Sequence, residues 1–285
     1  MNLTSGTLYI VATPIGNLDD LSPRARQVLS EVGIVAAEDT RHTGRLLKSF
    51  GIKARQIPLH EHNERDVALS LVAELEAGTS VALVSDAGTP LVSDPGYRLV
   101  CMAHQHGIRV SPVPGPSAVV AALSAAGLPT DAFCFEGFLP ARRPARLGRL
   151  EALRREARTL IFYESVHRVN ALFADLTATF GDARRAFIGR ELTKLHEQCA
   201  AGSLCELHAM LADGRIPAKG EFVVVIEGGS SAGGESTSAV DADRLLAELI
   251  RVVPGKKAVE IAAAVTRQNR NALYRRMLAL SGPGK

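Results

Sequence analysis

The chain has 285 residues, 46% of them apolar and 22% charged, with a mean hydropathy of +0.09. That length suits two compact domains or slightly more, and that composition excludes a disordered, collagen-like or coiled-coil chain. The net charge of +3 is unevenly spread, because residues 1–139 carry 10 Lys/Arg against 14 Asp/Glu whereas residues 140–285 carry 23 against 16. In chain order, short segments rich in Val, Ile and Phe predict strands at Leu8 to Thr13, Ile34 to Ala37, Val81 to Ser85, Arg109 to Val113, Phe133 to Phe135, Leu160 to Tyr163, Ala186 to Gly189 and Phe222 to Glu227. Helical patterns alternate with them, among them Pro23 to Leu29, which Ser22 is placed to cap, and Asp66 to Leu75. This alternation predicts an α/β protein. The proline-rich run Ser111 to Pro116 lacks the backbone donors that a helix or a central strand needs, so it reads as a hinge between two α/β domains, 1–115 and 116–228. The small polar composition of residues 229–240 predicts a flexible linker. Residues 241–285 form a helical appendix of about three helices, the first capped by Asp241 and carrying Leu245, Leu246 and Leu249, the others at Lys256 to Gln268 and Asn271 to Leu280.

The longest apolar runs are strand-sized, well short of the roughly 20 residues that cross a bilayer, so no membrane span is expected. Met1 to Thr7 has neither a basic patch nor an apolar stretch, which argues against a secretory signal. Cys101, Cys134, Cys199 and Cys205 lie far apart and suggest neither a disulfide framework nor a zinc knuckle, so a cytoplasmic protein is expected.

Three Gly/Pro-punctuated loops follow predicted strands, where parallel α/β sheets bind their ligands. Thr13-Pro14-Ile15-Gly16 has one glycine and no Gly-Lys-Ser/Thr, which disfavours a dinucleotide or nucleoside triphosphate site. Ser85-Asp86-Ala87-Gly88-Thr89-Pro90, followed by Ser93-Asp94-Pro95-Gly96, offers backbone N–H groups, a hydroxyl and a carboxylate to an amino-acid-like ligand; two ordinary turns are the alternative. Pro114-Gly115-Pro116-Ser117-Ala118 opens an Ala-rich helix with free N-terminal amides.

Polar clusters also follow strands. Glu38-Asp39-Thr40-Arg41-His42, Tyr163-Glu164-Ser165-Val166-His167-Arg168 and Arg190-Glu191-Leu192-Thr193-Lys194 each combine acids and cations, either as site residues or as helix caps with salt bridges. His60 with His62 and His104 with His106 lack a third ligand at useful spacing, so no metal is assigned. Arginine supplies 26 of the 33 cations, and its planar fork matches phosphate geometry. Between Ala141 and Arg158 stand seven arginines, including Arg142, Arg143 and Arg146, against Glu151 and Glu156. After Glu260 no acid follows, but five cations do. Each stretch taken alone reads equally as a solvated helix face or as a contact surface; together they lean toward a polyanionic partner.

The strings LYIVATPIGNLDDLSPRA, AEDTRHTGRLL, SDAGTPLVSDPG, PVPGPSAVVAALSAAGLP, FEGFLP, FYESVHR, GRELTKLHE and GEFVVVIEG resemble, in order and over about Gly6 to Gly228, the bacterial 16S ribosomal RNA 2'-O-ribose methyltransferases. That family belongs to the tetrapyrrole-methylase-like class of S-adenosylmethionine methyltransferases, and the helical appendix resembles its C-terminal domain only loosely. The resemblance implies two α/β domains with S-adenosylmethionine in the cleft between them, and a homodimer. It implies cofactor contacts from Pro14, Asp86, Ala87, Gly88, Thr89, Ser117, Ala118, Tyr163 and Glu164. The implied substrate is the ribose of cytidine 1402 of 16S rRNA, free or within the 30S subunit.

A ribose hydroxyl is a poor nucleophile at neutral pH, so a positioned base should assist it. Glu38, Asp39, Glu164 and His167 are the candidates, with spacing unable to choose among them. Arg41, Arg142, Arg143, Arg146, Arg168 and Lys194 are the candidate RNA contacts. Two other readings compete: a tetrapyrrole C-methyltransferase, against which stand the absence of Trp and the arginine-rich segment, and a non-catalytic rRNA-binding assembly factor, against which stand the intact cofactor loops.

Overall fold

A computed structural model describes residues 4–229, 242–266 and 268–281. Residues through Gly229 form one compact unit built on two five-stranded sheets, and the residues beyond it form a second unit.

The first sheet contains β1 (Thr7–Val11), β2 (Ile34–Ala37), β3 (Arg55–Pro58), β4 (Val81–Val84) and β5 (Arg109–Val113), in the order β3-β2-β4-β1-β5 and parallel throughout. The central strands β2 and β4 are buried at every residue, as an apolar run covered on both faces must be. Successive side chains point to opposite faces and so divide the core in two. Tyr9, Val11 and Val35 pack with Val28 and Leu29 of α1 (Pro23–Glu31) and Leu47 of α2 (Thr40–Ser49). Leu8, Ile34 and Leu83 pack with Leu71 of α3 (Glu64–Glu76) and Leu99 of α4 (Tyr97–Gln105). Ser22 caps α1 as predicted, its hydroxyl accepting the Ala25 N–H at 3.0 Å.

The second sheet contains β6 (Phe133–Phe138), β7 (Thr159–Ser165), β8 (Arg185–Arg190), β9 (Gln198–Ser203) and β10 (Glu221–Ile226), in the order β6-β7-β10-β8-β9. β6 runs parallel to β7, and β10 lies antiparallel between β7 and β8. One face carries Phe162, Ile188, Phe222 and Val224 against Leu150 of α6 (Arg143–Leu153), Phe173 of α7 (Val169–Phe180) and Leu207 of α8 (Leu204–Ala212). The other carries Ile161, Phe187, Val223 and Val225 against Val119, Ala122 and Leu123 of α5 (Ala118–Ala126).

Two strands went unpredicted, β3 and β9, and both are edge strands. With few apolar neighbours to meet, Arg55-Gln56-Ile57-Pro58 and Gln198 to Ser203 lack the apolar runs that mark the central strands. The hinge reading of Ser111 to Pro116 is corrected for its first three residues: Ser111, Pro112 and Val113 pair in register with Tyr9, Ile10 and Val11. Proline is tolerated there because β5 is an edge, where a missing N–H leaves no partner unsatisfied.

Among its described residues the second unit has three helices, α9 (Ala242–Leu249), α10 (Gly255–Thr266) and α11 (Arg270–Ser281), which enclose Leu246, Val259, Ala262, Leu273 and Met277. The proposed cap Asp241 and residues 230–240 of the proposed linker lie outside the described residues. No helix among the described residues is long and apolar enough to cross a membrane.

Candidate functional site

Because all five strands of the first sheet are parallel, the loops at their carboxyl ends gather on one rim. The loop after β4 ties this rim together. Gly88 and Thr13 exchange backbone hydrogen bonds of 2.9 and 3.1 Å, and the Thr13 hydroxyl donates to the Ser85 carbonyl at 3.2 Å, joining the loops after β4 and β1. The Thr89 hydroxyl donates to the Pro116 carbonyl at 3.0 Å, joining the loop after β5. An Asp86 carboxylate oxygen accepts the Asp39 N–H at 3.1 Å, joining the segment after β2. Gly88 is required here: its φ is +84°, and a Cβ would come within 3.3 Å of Ile15. Pro14, Asp86, Ala87, Gly88, Thr89, Ser117 and Ala118 are thus brought to one rim.

The chain then passes through Leu91 and Ser93, both in the left-handed region at φ 70° and 71°. Such conformations cost of order 1–3 kcal/mol each and persist only where surroundings impose them. The anchor is Glu64 at the start of α3, a buried carboxylate that accepts the N–H groups of Gly96 at 3.1 Å and Arg98 at 2.7 Å. Burial pushes the Asp94 carboxyl in this loop upward, against a hydrogen bond from the Ser85 hydroxyl and with Asp86 nearby. Asp94 and Glu64 were not among the expected site residues, although the Ser93-Asp94-Pro95-Gly96 turn was visible in the sequence.

Glu38 lies at the end of β2, partly buried and with no hydrogen-bond partner among the described residues. Its pKa is raised by burial first, then by the carboxylates of Asp86, Asp94, Glu61 and Asp39. Asp39 is its opposite: it caps α2, and both its oxygens are gripped by the Arg41 guanidinium at 3.0 and 3.2 Å, which holds it down at about 2.

The second sheet supplies the facing wall. Burial, with Asp94 and Glu221 nearby, pushes the Tyr163 hydroxyl up to about 12, opposed by a hydrogen bond from the Val119 backbone N–H. Glu164, beside it, is buried and occupied, accepting the Ser165 N–H at 2.7 Å and the Arg168 guanidinium at 3.1 Å. Arg168 also donates to the Leu139 carbonyl at 2.6 Å. His167 is exposed. After β8, Glu191 and Thr193 again have positive φ, and Lys194 bridges Glu191 and Glu221 at 2.9 Å each. The Lys194 side chain lies against Gly16, so the loops after β1 and β8 meet.

The arginine-rich segment is more structural than its composition implies. Arg146 is buried, its guanidinium 2.7 Å from Asp175, which Arg143 also engages at 2.9 Å. Arg149 pairs with Glu136, Arg154 with Glu151 and Arg158 with Glu156. Arg142 is exposed, with no side-chain partner among the described residues. Of the arginines named as RNA contacts in this segment, Arg146 is therefore inaccessible, and Arg142 and Arg143 remain on the surface. Among the described residues no three His, Cys, Asp or Glu side chains converge as metal ligands.

Residues 7–208 match the family model of the tetrapyrrole (corrin/porphyrin) methylases, and residues 236–281 match a C-terminal helix-turn-helix domain model named for the RsmI proteins. The chain is 50% identical over 280 residues to a ribosomal RNA small subunit methyltransferase I of Pseudomonas aeruginosa, covering 98% of this chain and 99% of that protein. It is 49% identical over 279 residues to the protein of that name from Escherichia coli O157:H7, covering 98% and 97%. Among solved structures it shares its fold with a Thermus thermophilus uroporphyrin III C-methyltransferase complexed with S-adenosyl homocysteine, at TM-score 0.54 and 18% identity over 78% of this chain and 97% of that one. A diphthine synthase gives TM-score 0.59 at 17% identity, over 78% and 90%. The chain belongs to the tetrapyrrole (corrin/porphyrin) methylase family and, within it, to the ribosomal RNA small subunit methyltransferase I family.

Proposed function

We propose that this protein uses S-adenosylmethionine to methylate the 2'-oxygen of the ribose of cytidine 1402 in 16S rRNA. The observation that carries the reading is the Ser85–Thr89 loop, hydrogen-bonded to the three neighbouring strand-end segments, in a chain half identical to small-subunit rRNA methyltransferases along nearly all its length. The rim suits the cofactor chemically. Asp86 has a second carboxylate oxygen to offer an ammonium group, the backbone at Gly88 permits close approach, and the first N–H groups of α5 suit a carboxylate. When bound, the cofactor supplies an electrophilic methyl group on a sulfonium.

The protein's own tasks are alignment, exclusion of water and removal of one proton. The hydrogen-bonded rim and the left-handed turns at Leu91 and Ser93 hold the loops in place. Among the four proton acceptors considered, Asp39 is ion-paired and Glu164 is fully engaged, while His167 is exposed to solvent. Glu38, with no hydrogen-bond partner among the described residues and with a raised pKa, takes the proton of the 2'-hydroxyl. Arg142 and Arg143 hold RNA phosphates beside the cleft.

The reading includes the assembled 30S subunit as substrate and a homodimeric enzyme. Tritium transfer from labelled S-adenosylmethionine onto 30S particles lacking the modification, with free 16S rRNA alongside, tests it. Label on the ribose of nucleotide 1402 supports the reading; label on a base, or none on either substrate, overturns it. Sedimentation of the purified protein tests the dimer.

A further inference from the structure

Phe138 ends the edge strand β6 with 58% of its surface exposed. Its placement is enforced. Residues three apart on a regular strand face opposite ways, yet Phe135 and Phe138 both lie edge-on to Tyr163, with ring centroids 4.9 and 5.6 Å from it. The cause is a bulge between Phe135 and Gly137, which inserts one residue and turns the end of the strand back toward Tyr163. Gly137 takes φ +63°, and a Cβ there would meet the Ser93 hydroxyl at 3.1 Å, so β6 closes directly onto the strained loop of the first sheet. Tyr163 in turn packs against the cluster that holds Val119 of α5 and lies near Asp94. The exposed ring therefore stands on an aromatic base where β6 closes onto the loop after β4, and Arg142, exposed and without a side-chain partner among the described residues, follows four residues later in the sequence.

An exposed aromatic ring suits single-stranded RNA, whose bases stack on such faces, and an exposed guanidinium suits its phosphates. We propose that Phe138 is the stacking platform for an unstacked nucleobase of the RNA substrate, held next to the reacting ribose. The proposal rests on the RNA methyltransferase reading above. Drawing a nucleotide out of a structured RNA loses its stacking on its neighbours, and the ring replaces that stacking at the protein surface.

The chain contains no tryptophan, so Phe138→Trp installs a lone tryptophan at the platform, excited at wavelengths where the four tyrosines do not absorb. Its emission should be quenched when a single-stranded RNA oligonucleotide of the target sequence is titrated in, and its KM for 30S particles should lie below those of variants without a π face. Phe138→Ala and Phe138→Leu, which lack a π face, should raise the KM for 30S particles about tenfold or more. The dissociation constant for S-adenosylmethionine and the melting temperature should move little, because the ring is exposed. An unchanged KM in both variants overturns the proposal, as does Trp emission that ignores saturating RNA. So does a shift from dimer to monomer in Phe138→Ala with unchanged KM, which would mean that a second copy of the chain covers the ring. If wild type transfers no methyl group to RNA, the functional reading falls, while Trp quenching still reports whether a base lies on residue 138.

Discussion

Arg146 and Asp175 meet at 2.7 Å with both side chains almost wholly buried, joining α6 to α7. Breaking such a pair strands the remaining charge, which typically costs 3–5 kcal/mol. Asp175→Ala should therefore lower stability to urea by about that amount, since Arg143 would also lose a partner. Replacing both Arg146 and Asp175 with apolar residues of similar volume should recover most of the loss. An Asp175→Ala protein as stable as wild type would mean that water reaches the guanidinium.

The same pair marks how far the sequence is legible. The seven arginines between Arg142 and Arg158 are evident from composition, but the acid that buries one of them stands 29 residues away on another helix. Central strands such as Val81–Val84 are evident because full burial demands an unbroken apolar run, whereas the edges Arg55–Pro58 and Gln198–Ser203 make no such demand. Strand-end loops are visible as Gly/Pro turns. Their wiring is not, because the bond from Asp39 to Asp86 spans 47 residues. Asp39 and Glu38 are neighbours in sequence with opposite environments, one gripped by Arg41 and one partly buried among carboxylates, which spacing alone does not separate.

Glu38 should show the stability signature of a group held for function. Burial and nearby acids raise its pKa in the folded state, so the native protein binds its proton more tightly than the unfolded chain does. Stability is then unaffected below the usual carboxylate range and falls as pH rises through that range to the raised folded value. Glu38→Gln removes the penalty. It should melt at a higher temperature than wild type at pH 7, with the difference closing near pH 4. Its single-turnover rate should fall by about 100-fold to 10,000-fold if Glu38 accepts the proton. A rate within a few-fold of wild type would leave alignment alone as the source of catalysis.

Asp86 has a different expected outcome. One carboxylate oxygen holds the Asp39 N–H, and the other is the one assigned to the cofactor. A hydrogen bond to a charged group contributes about 1.5–3 kcal/mol, so Asp86→Ala should weaken S-adenosylmethionine binding roughly tenfold or more. Calorimetry measures this directly. Asp86→Asn retains an acceptor for Asp39 but loses the charge, so weakening in Asn as well as Ala assigns the effect to the cofactor's cation. Weakening in Ala alone assigns it to the position of the Asp39 segment.

Arg142, which precedes α6, and Arg146 within it separate surface electrostatics from packing. Each phosphate contact removed should reduce the slope of log affinity against log salt by roughly 0.7 to 0.9. Arg142→Ala should lower RNA affinity and flatten that slope by about one contact, leaving the melting temperature and S-adenosylmethionine binding unchanged, because the side chain is exposed and unpartnered among the described residues. Arg143→Ala added to it should flatten the slope again, with a modest loss of stability from its shared carboxylate. Arg146→Ala should instead unfold the protein more readily, since it leaves Asp175 buried with only the largely exposed Arg143 to compensate it. If the folded Arg146→Ala protein also loses a salt-dependent contact, its guanidinium must leave Asp175 when RNA binds; if Arg142→Ala binds RNA like wild type at every salt concentration, the phosphate path does not run over α6.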